Sequence, residues 1–258
     1  MPIGHGLVTV QGRAVAYSPR LLEGQFFSHT TAAALLDLRM PTGFMEDELH
    51  VTSVAPRRAP RGSGVIGHKV ARSPEVWSSE SGRMRASSPI DTWISLGRFL
   101  SLDNLVVMGD GLLSRRNPLA THDGLGVAVA EAGRARGVAE LRRALPLLRP
   151  GTDSAPETIL RLLLQGAGLP EPEVNGEIVT PTGRFHGDLV YRSSRVVIEY
   201  DGQHHRTDDR QFSIDVERLD MIMAARWRVL RVDKRLLARR AELIARVRSA
   251  IQDGLSST

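Results

Sequence analysis

Apolar positions fall into a regular pattern only in the second part of the chain. A 3.6-residue spacing predicts a helix over about 155–165, with Leu160, Leu163 and Leu164 on one side and Gly166 and Gly168 ending it. Three short strands are predicted near 173–179, 184–191 and 195–201. A helix over about 211–225 is expected to bury Phe212, Val216, Leu219 and Met223, and residues 227–232 read as a fourth strand. The last helix, about 235–252, aligns Leu236, Leu243, Val247 and Ile251 on one stripe. The predicted order is αβββαβα.

Before position 150 the pattern is weaker. Ser28 is placed to cap a helix of good formers running to Leu38, and Glu48–Val54 alternates as a strand does. Residues 55–64 hold too much Pro and Gly to be regular, and helical spacing resumes at about 89–100, 102–115, 123–133 and 137–147. Arg149-Pro-Gly-Thr-Asp-Ser154 breaks the last of these and supplies a cap for the next helix. We therefore expect two domains, 1–150 of α+β and helical character and 151–258 of α/β character.

Composition narrows the chemistry. With 258 residues and 41% hydrophobic content the chain can bury a sizeable core. No apolar run reaches the ~18 residues of a membrane span, and the start lacks the basic and apolar regions of a signal peptide, so a cytoplasmic protein without membrane contact is expected. There is no cysteine, which excludes disulfides and thiolate metal sites and leaves oxygen or imidazole ligands. Oxygen ligands point to Mg²⁺ or Mn²⁺. The net charge is +5, and Lys69 and Lys234 are the only lysines, so arginine carries nearly all the positive charge. Its planar fork suits phosphate. Arg57, Arg58, Arg61, Lys69, Arg72, Arg83 and Arg85 form one basic stretch, and Arg226, Arg228, Arg231, Arg235, Arg239 and Arg240 a second. Both are candidate DNA-backbone contacts.

The stretch VVIEYDGQHH, 196–205, concentrates candidate chemistry. Alternation sends Val196, Ile198 and Tyr200 to one sheet face, expected to be core, and Val197, Glu199 and Asp201 to the other, expected to carry charge. A tight turn at Arg192-Ser-Ser-Arg195 would pair Tyr191 with Val196 and set Asp188 opposite Glu199. Facing carboxylates repel unless a divalent cation lies between them. His204 and His205 follow within a few residues and could accept a proton from a metal-activated water. Glu157 is a further acid, although Ser154-Ala-Pro-Glu157 is also a capping box. His29, His122 and His186 read as ordinary polar residues.

The segments Ser154-Ala-Pro-Glu157, Gly168-Leu-Pro, Gly187-Asp-Leu-Val, Val197 to His205, Asp215-Val-Glu-Arg218 and Trp227-Arg-Val-Leu-Arg resemble a family. It is the domain of unknown function related to very-short-patch-repair (Vsr) endonucleases, within the PD-(D/E)xK nuclease fold, and the likeness covers about 150–240. Upstream, Phe27-Ser-His-Thr-Thr-Ala-Ala-Ala-Leu-Leu and Ser88-Pro-Ile-Asp-Thr-Trp are similar to the AbiEi-type antitoxin region. That region usually begins with a winged helix-turn-helix, which is not readable here. The resemblance implies a restriction-endonuclease-like mixed sheet flanked by helices and metal-dependent DNA cleavage in bacterial defence or repair. It makes Asp188 and Glu199 the motif acids and puts Asp201 where the motif has lysine. Vsr-like enzymes are similar in lacking that lysine and in using a histidine after the strand. Arg226 stands where the family tends to have glycine before the tryptophan, with an effect expected only at the helix end.

Two functions are consistent with these residues. One is a Mg²⁺-dependent endodeoxyribonuclease with Asp188, Glu199 and Asp201 at the metal and His204, His205 and Glu157 beside it. The other is a catalytically inactive DNA-binding or antitoxin-type regulator that keeps the fold as a scaffold, with DNA or a toxin-antitoxin protein as partner.

Overall fold

The structure is a computed structural model that describes residues 9–41, 44, 48–79, 82, 84–202 and 209–256, with only the backbone for 209–215. It is a mixed α/β protein that divides into two compact units, Met1–Leu148 and Arg149–Thr258. No described helix is long and apolar enough to cross a membrane.

The first unit opens with α1 (Val10–Tyr17), β1 (Gln25–Phe27) and α2 (His29–Leu35), followed by β2 (Leu49–Val54), β3 (Val65–Val70), β4 (Val76–Ser78) and β5 (Arg85–Ser87). The strands form one mixed sheet in the order β3-β2-β1-β5-β4. Val10 and Ala14 of α1 and Ala32 of α2 pack on Phe27, Leu49, Val51 and Ala86. Ser28 is not a side-chain cap, contrary to expectation: its hydroxyl accepts from Thr52 Oγ1 at 2.7 Å and contacts His29 Nδ1 at 2.9 Å. Helices α3 (Pro89–Leu96), α4 (Leu102–Leu112), α5 (His122–Glu131) and α6 (Val138–Ala144) follow, the first three capped by Ser88, Ser101 and Thr121. They close around buried Trp93, whose Nε1 donates to the Leu105 carbonyl at 2.9 Å.

The second unit runs α7 (Ala155–Gly166), β6 (Glu173–Thr180), β7 (Gly183–Tyr191), β8 (Val196–Tyr200), α8 (Asp209–Ala224), β9 (Arg228–Val232), α9 (Lys234–Ala238) and α10 (Arg240–Ser256). The expected final helix is thus two. Asp233 caps the short α9 through a bond from Leu236 N. The sheet order is β6-β7-β8-β9, antiparallel up to β8 and parallel between β8 and β9 across α8.

Both faces of this sheet are covered, where the sequence suggested one apolar and one charged face. On one face Leu189, Tyr191, Val196 and Ile198 join Leu160 and Leu164 of α7 and Leu243 and Val247 of α10. On the other, Ile178, Val190 and Val197 meet Ile222 of α8. The buried side of α8 is Leu219 and Ile222, whereas Val216 and Met223 are exposed, contrary to expectation. The side chain of Phe212 lies outside the described residues. Gly254 brings α10 against the turn between β7 and β8, where a Cβ would lie 2.0 Å from the Ser194 carbonyl oxygen.

Candidate active site

The β7–β8 ladder pairs Tyr191 with Val196, Val190 with Val197 and Leu189 with Ile198, which is the register the turn residues predict. The turn itself is a single 3₁₀ turn at Arg192–Ser194, and Arg195 takes the left-handed conformation, φ 51°. Beyond Leu189 the ladder stops. A Cβ at Gly187 would fall 2.2 Å from Val197 Cγ2 and near Val190 and Ile178, so this residue faces α8 and must be small. Leu189 lies on the opposite face, packed with α7 and α10. Strict alternation would put residues 187 and 189 on the same side. It is therefore broken at Asp188.

The neighbouring strand breaks at the same level. Asn175 is left-handed, φ 49°, and it drops out of the β6–β7 ladder between Val174↔Leu189 and Gly176↔Gly187. Such kinks re-aim a side chain. Here Asp188 Oδ2 accepts the Tyr200 backbone N–H at 2.7 Å, extending β8 with a side chain where no ladder bond is made.

Three acids converge at this point. Burial, then the charges of Glu199 and Glu157, push the Asp188 carboxyl up to about 8, against the Tyr200 N–H and Arg218, which favour the anion. Glu199 is buried, and Arg218 of α8 grips it with Nη1 and Nη2, each 3.1 Å from one oxygen. Glu157 does complete the capping box: its oxygens accept from Ser154 Oγ at 2.7 Å and Asp153 N at 2.8 Å. The same carboxylate is close enough to act on Asp188. Asp201 follows β8, with its N–H on the Val232 carbonyl and Oδ2 2.7 Å from Arg231 Nη2. In this arrangement it belongs with Arg231 and not with Asp188.

His204 and His205 lie outside the described residues, as does Arg83 of the N-terminal basic stretch. His186 is exposed and gives its carbonyl to Arg218, and His122 Nε2 is 3.2 Å from the Leu145 carbonyl.

The arginines divide by environment. Arg228 joins Asp253 at 2.6 Å, Arg231 joins Asp201, and Arg239 joins Glu242 at 2.8 Å. Arg226, Arg235 and Arg240 are exposed. Arg226, with φ 62°, ends α8: its N–H bonds Met223 O and the Trp227 N–H bonds Ile222 O, the pattern in which glycine is the usual occupant. With Arg192 and Arg195 it lines a groove of about 550 Å³. That groove lies at the Val196–Arg228 end of the paired strands, and Asp201 at the other, roughly 17 Å away at ~3.3 Å per residue. In the first unit Arg57, Arg58 and Arg61 are exposed, while Arg85 is occupied with the Leu21 and Leu22 carbonyls.

Two features escaped the sequence reading. Arg218 shares a helical face with Ile222 one turn on, so a cation on the buried side of α8 was the available signal. The second is a histidine cluster in the first unit. Among the described residues, His29, His50 and His68 are the group whose ligand atoms all lie within 4.8 Å of one another. Burial, then His68 and His50, push the His29 imidazole down to about 2, so it is neutral. His29 is therefore not the ordinary polar residue expected. No family model matches the chain, and comparisons with curated proteins and with solved structures give no match.

Proposed function

We propose that the second unit is a metal-dependent endodeoxyribonuclease, with its αβββαβα order read as restriction-endonuclease-like and Asp188 and Glu199 holding Mg²⁺ or Mn²⁺. One observation carries this reading: Asp188 is turned, by a kink shared with β6, into a position where burial, and then Glu199 and Glu157, raise its pKa. Gathering like charges costs stability, and an all-oxygen set of this kind suits a hard divalent cation. The donor set fits the ion. When bound, the cation supplies charge stabilisation and an activated water.

The chain's own residues do the rest. Glu199 would be a ligand to the cation, and the Arg218 guanidinium now paired with it has two N–H donors suited to a phosphate oxygen. Asp201 replaces the motif's lysine and brings Arg231 with it, so the positive charge at this end of β8 is supplied from β9. His204 or His205 accepts the proton from the attacking water. Arg226, Arg235 and Arg240, with Arg57, Arg58 and Arg61, contribute to backbone binding that does not depend on sequence.

A specific observation favours the alternative of an inactive DNA-binding or antitoxin-type regulator. Glu199 and Asp201 are each satisfied by arginine, so the site is neutralised without an ion. Cleavage of plasmid and mismatched duplex DNA, with wild type and Asp188→Ala in Mg²⁺ and in Mn²⁺, tests the choice. Nicking by wild type that disappears in Asp188→Ala is expected. Wild type that leaves both substrates intact would establish the scaffold reading.

A further inference from the structure

The three histidines of the first unit come from separate elements. His29 opens α2, His50 lies on β2 and His68 on β3. The parallel register pairs Thr52 with His68, so His50, two residues before Thr52, points to the same side of the sheet as His68. Their ring nitrogens approach directly, with His50 Nδ1 3.0 Å from His68 Nε2. His29 covers them from above the strands, its ring stacked on His68 at 3.9 Å between centroids and 5.3 Å from His50.

Two details hold His29 in that place. Its backbone is left-handed, φ 52°, a conformation uncommon for any residue but glycine. Its Nδ1 is 2.9 Å from Ser28 Oγ, which is fixed in turn by Thr52 Oγ1. An Nδ1–H bond to that oxygen leaves Nε2 as the ligand atom, the second-layer arrangement that orients metal-binding imidazoles. The Phe99 ring stands edge-on to His29 and His50 and walls the cluster with apolar surface.

We propose that His29, His50 and His68 bind one divalent ion of the zinc class, with a fourth position left to water or an external ligand. Zinc takes imidazole nitrogens at about 2.0–2.1 Å, so two nitrogens on one tetrahedral ion are roughly 3.4 Å apart. The 3.0 Å His50–His68 separation and the 4.8 Å limit of the whole group bracket that value. Imidazole also selects zinc, cobalt, nickel or copper over magnesium, which separates this site chemically from the carboxylates of the second unit. His29 and His50 are buried and His68 is partly exposed.

The test uses the full chain without an affinity tag, stripped with chelator and titrated with Co²⁺ and then Zn²⁺. One Co²⁺ per chain, with the intense visible absorption of a four-coordinate nitrogen site and displacement by Zn²⁺, is the expected result. The visible absorption of the nitrogen site assigns the first ion to the histidines, whether or not the carboxylates of the second unit take a further ion. His68→Gln removes a ligand outright, so it should weaken binding by more than the roughly 10- to 100-fold that loss of an outer hydrogen-bond partner costs. Should His68→Gln fail to fold, X-ray absorption at the zinc edge of the loaded wild type decides, with three imidazoles expected. Binding that persists in folded His68→Gln, a zinc centre with fewer than three imidazoles, or wild type that binds neither metal would overturn the proposal.

Discussion

Arg218 spans both oxygens of Glu199 and also donates to the His186 carbonyl at 2.9 Å, so one α8 side chain ties β7 to β8. The pair is largely shielded from water, and losing one partner leaves the other charge poorly solvated. Arg218→Gln should therefore destabilise the metal-free protein by about 1–3 kcal/mol in urea unfolding, a figure reduced for the partial exposure of the pair. Saturating Mn²⁺ should recover much of the loss, because the cation takes over as partner of Glu199. A destabilisation that Mn²⁺ leaves unchanged would separate Arg218 from the metal site.

Asp188 sets the pH response. Its folded pKa is raised to about 8 while an unfolded aspartate titrates near 3.8, so the folded form is favoured most when the carboxyl is protonated. This contribution is complete below pH 4 and is lost as pH rises towards 8. Asp188→Asn keeps an oxygen for the Tyr200 N–H and removes the titration. It should gain stability on wild type across that window, by about 2 kcal/mol at pH 8 once relief by solvent is allowed for. Melting curves of the metal-free proteins at pH 4 to 8 check this, and parallel curves for the two proteins would contradict it.

For DNA binding, the ion pairs of Arg228, Arg231 and Arg239 separate these residues from Arg226, Arg235 and Arg240, which are exposed and make no ion pair among the described residues. Neutralising the latter three should weaken binding regardless of DNA sequence and lower the slope of log K against log salt by about 0.9 for each phosphate no longer neutralised. Arg228→Gln and Arg239→Gln should change it less. Fluorescence anisotropy on one duplex at several salt concentrations distinguishes the sets, and equal effects from both would remove the distinction.

The second unit was legible because its elements are long and periodic, and the β7–β8 register followed from the turn residues. What the pattern did not carry was the kink at Asp188. A period of two cannot report its own interruption, and the glycine at 187 and the left-handed Asn175 act together only after β6 and β7 pair. Arg218 was hidden for a related reason: a cation on an apolar helix face reads as a solvated residue until its partner strand is known. In the first unit β1, β4 and β5 have three residues each, too few for alternation to register. His29, His50 and His68 are brought together only by the pairing of β2 with β3 and by the backbone turn at residue 29.

Whether Asp188 and Glu199 share a divalent cation is decided by Mn²⁺ binding followed by electron paramagnetic resonance. The titration is made in a His68→Gln background, so that the histidine cluster does not contribute. One Mn²⁺ per chain is expected, lost on adding Asp188→Asn or Glu199→Gln and bound more tightly with Arg218→Gln, which removes the competing cation. Mn²⁺ that binds equally well with Asp188→Asn, or not at all to the parent protein, would contradict it.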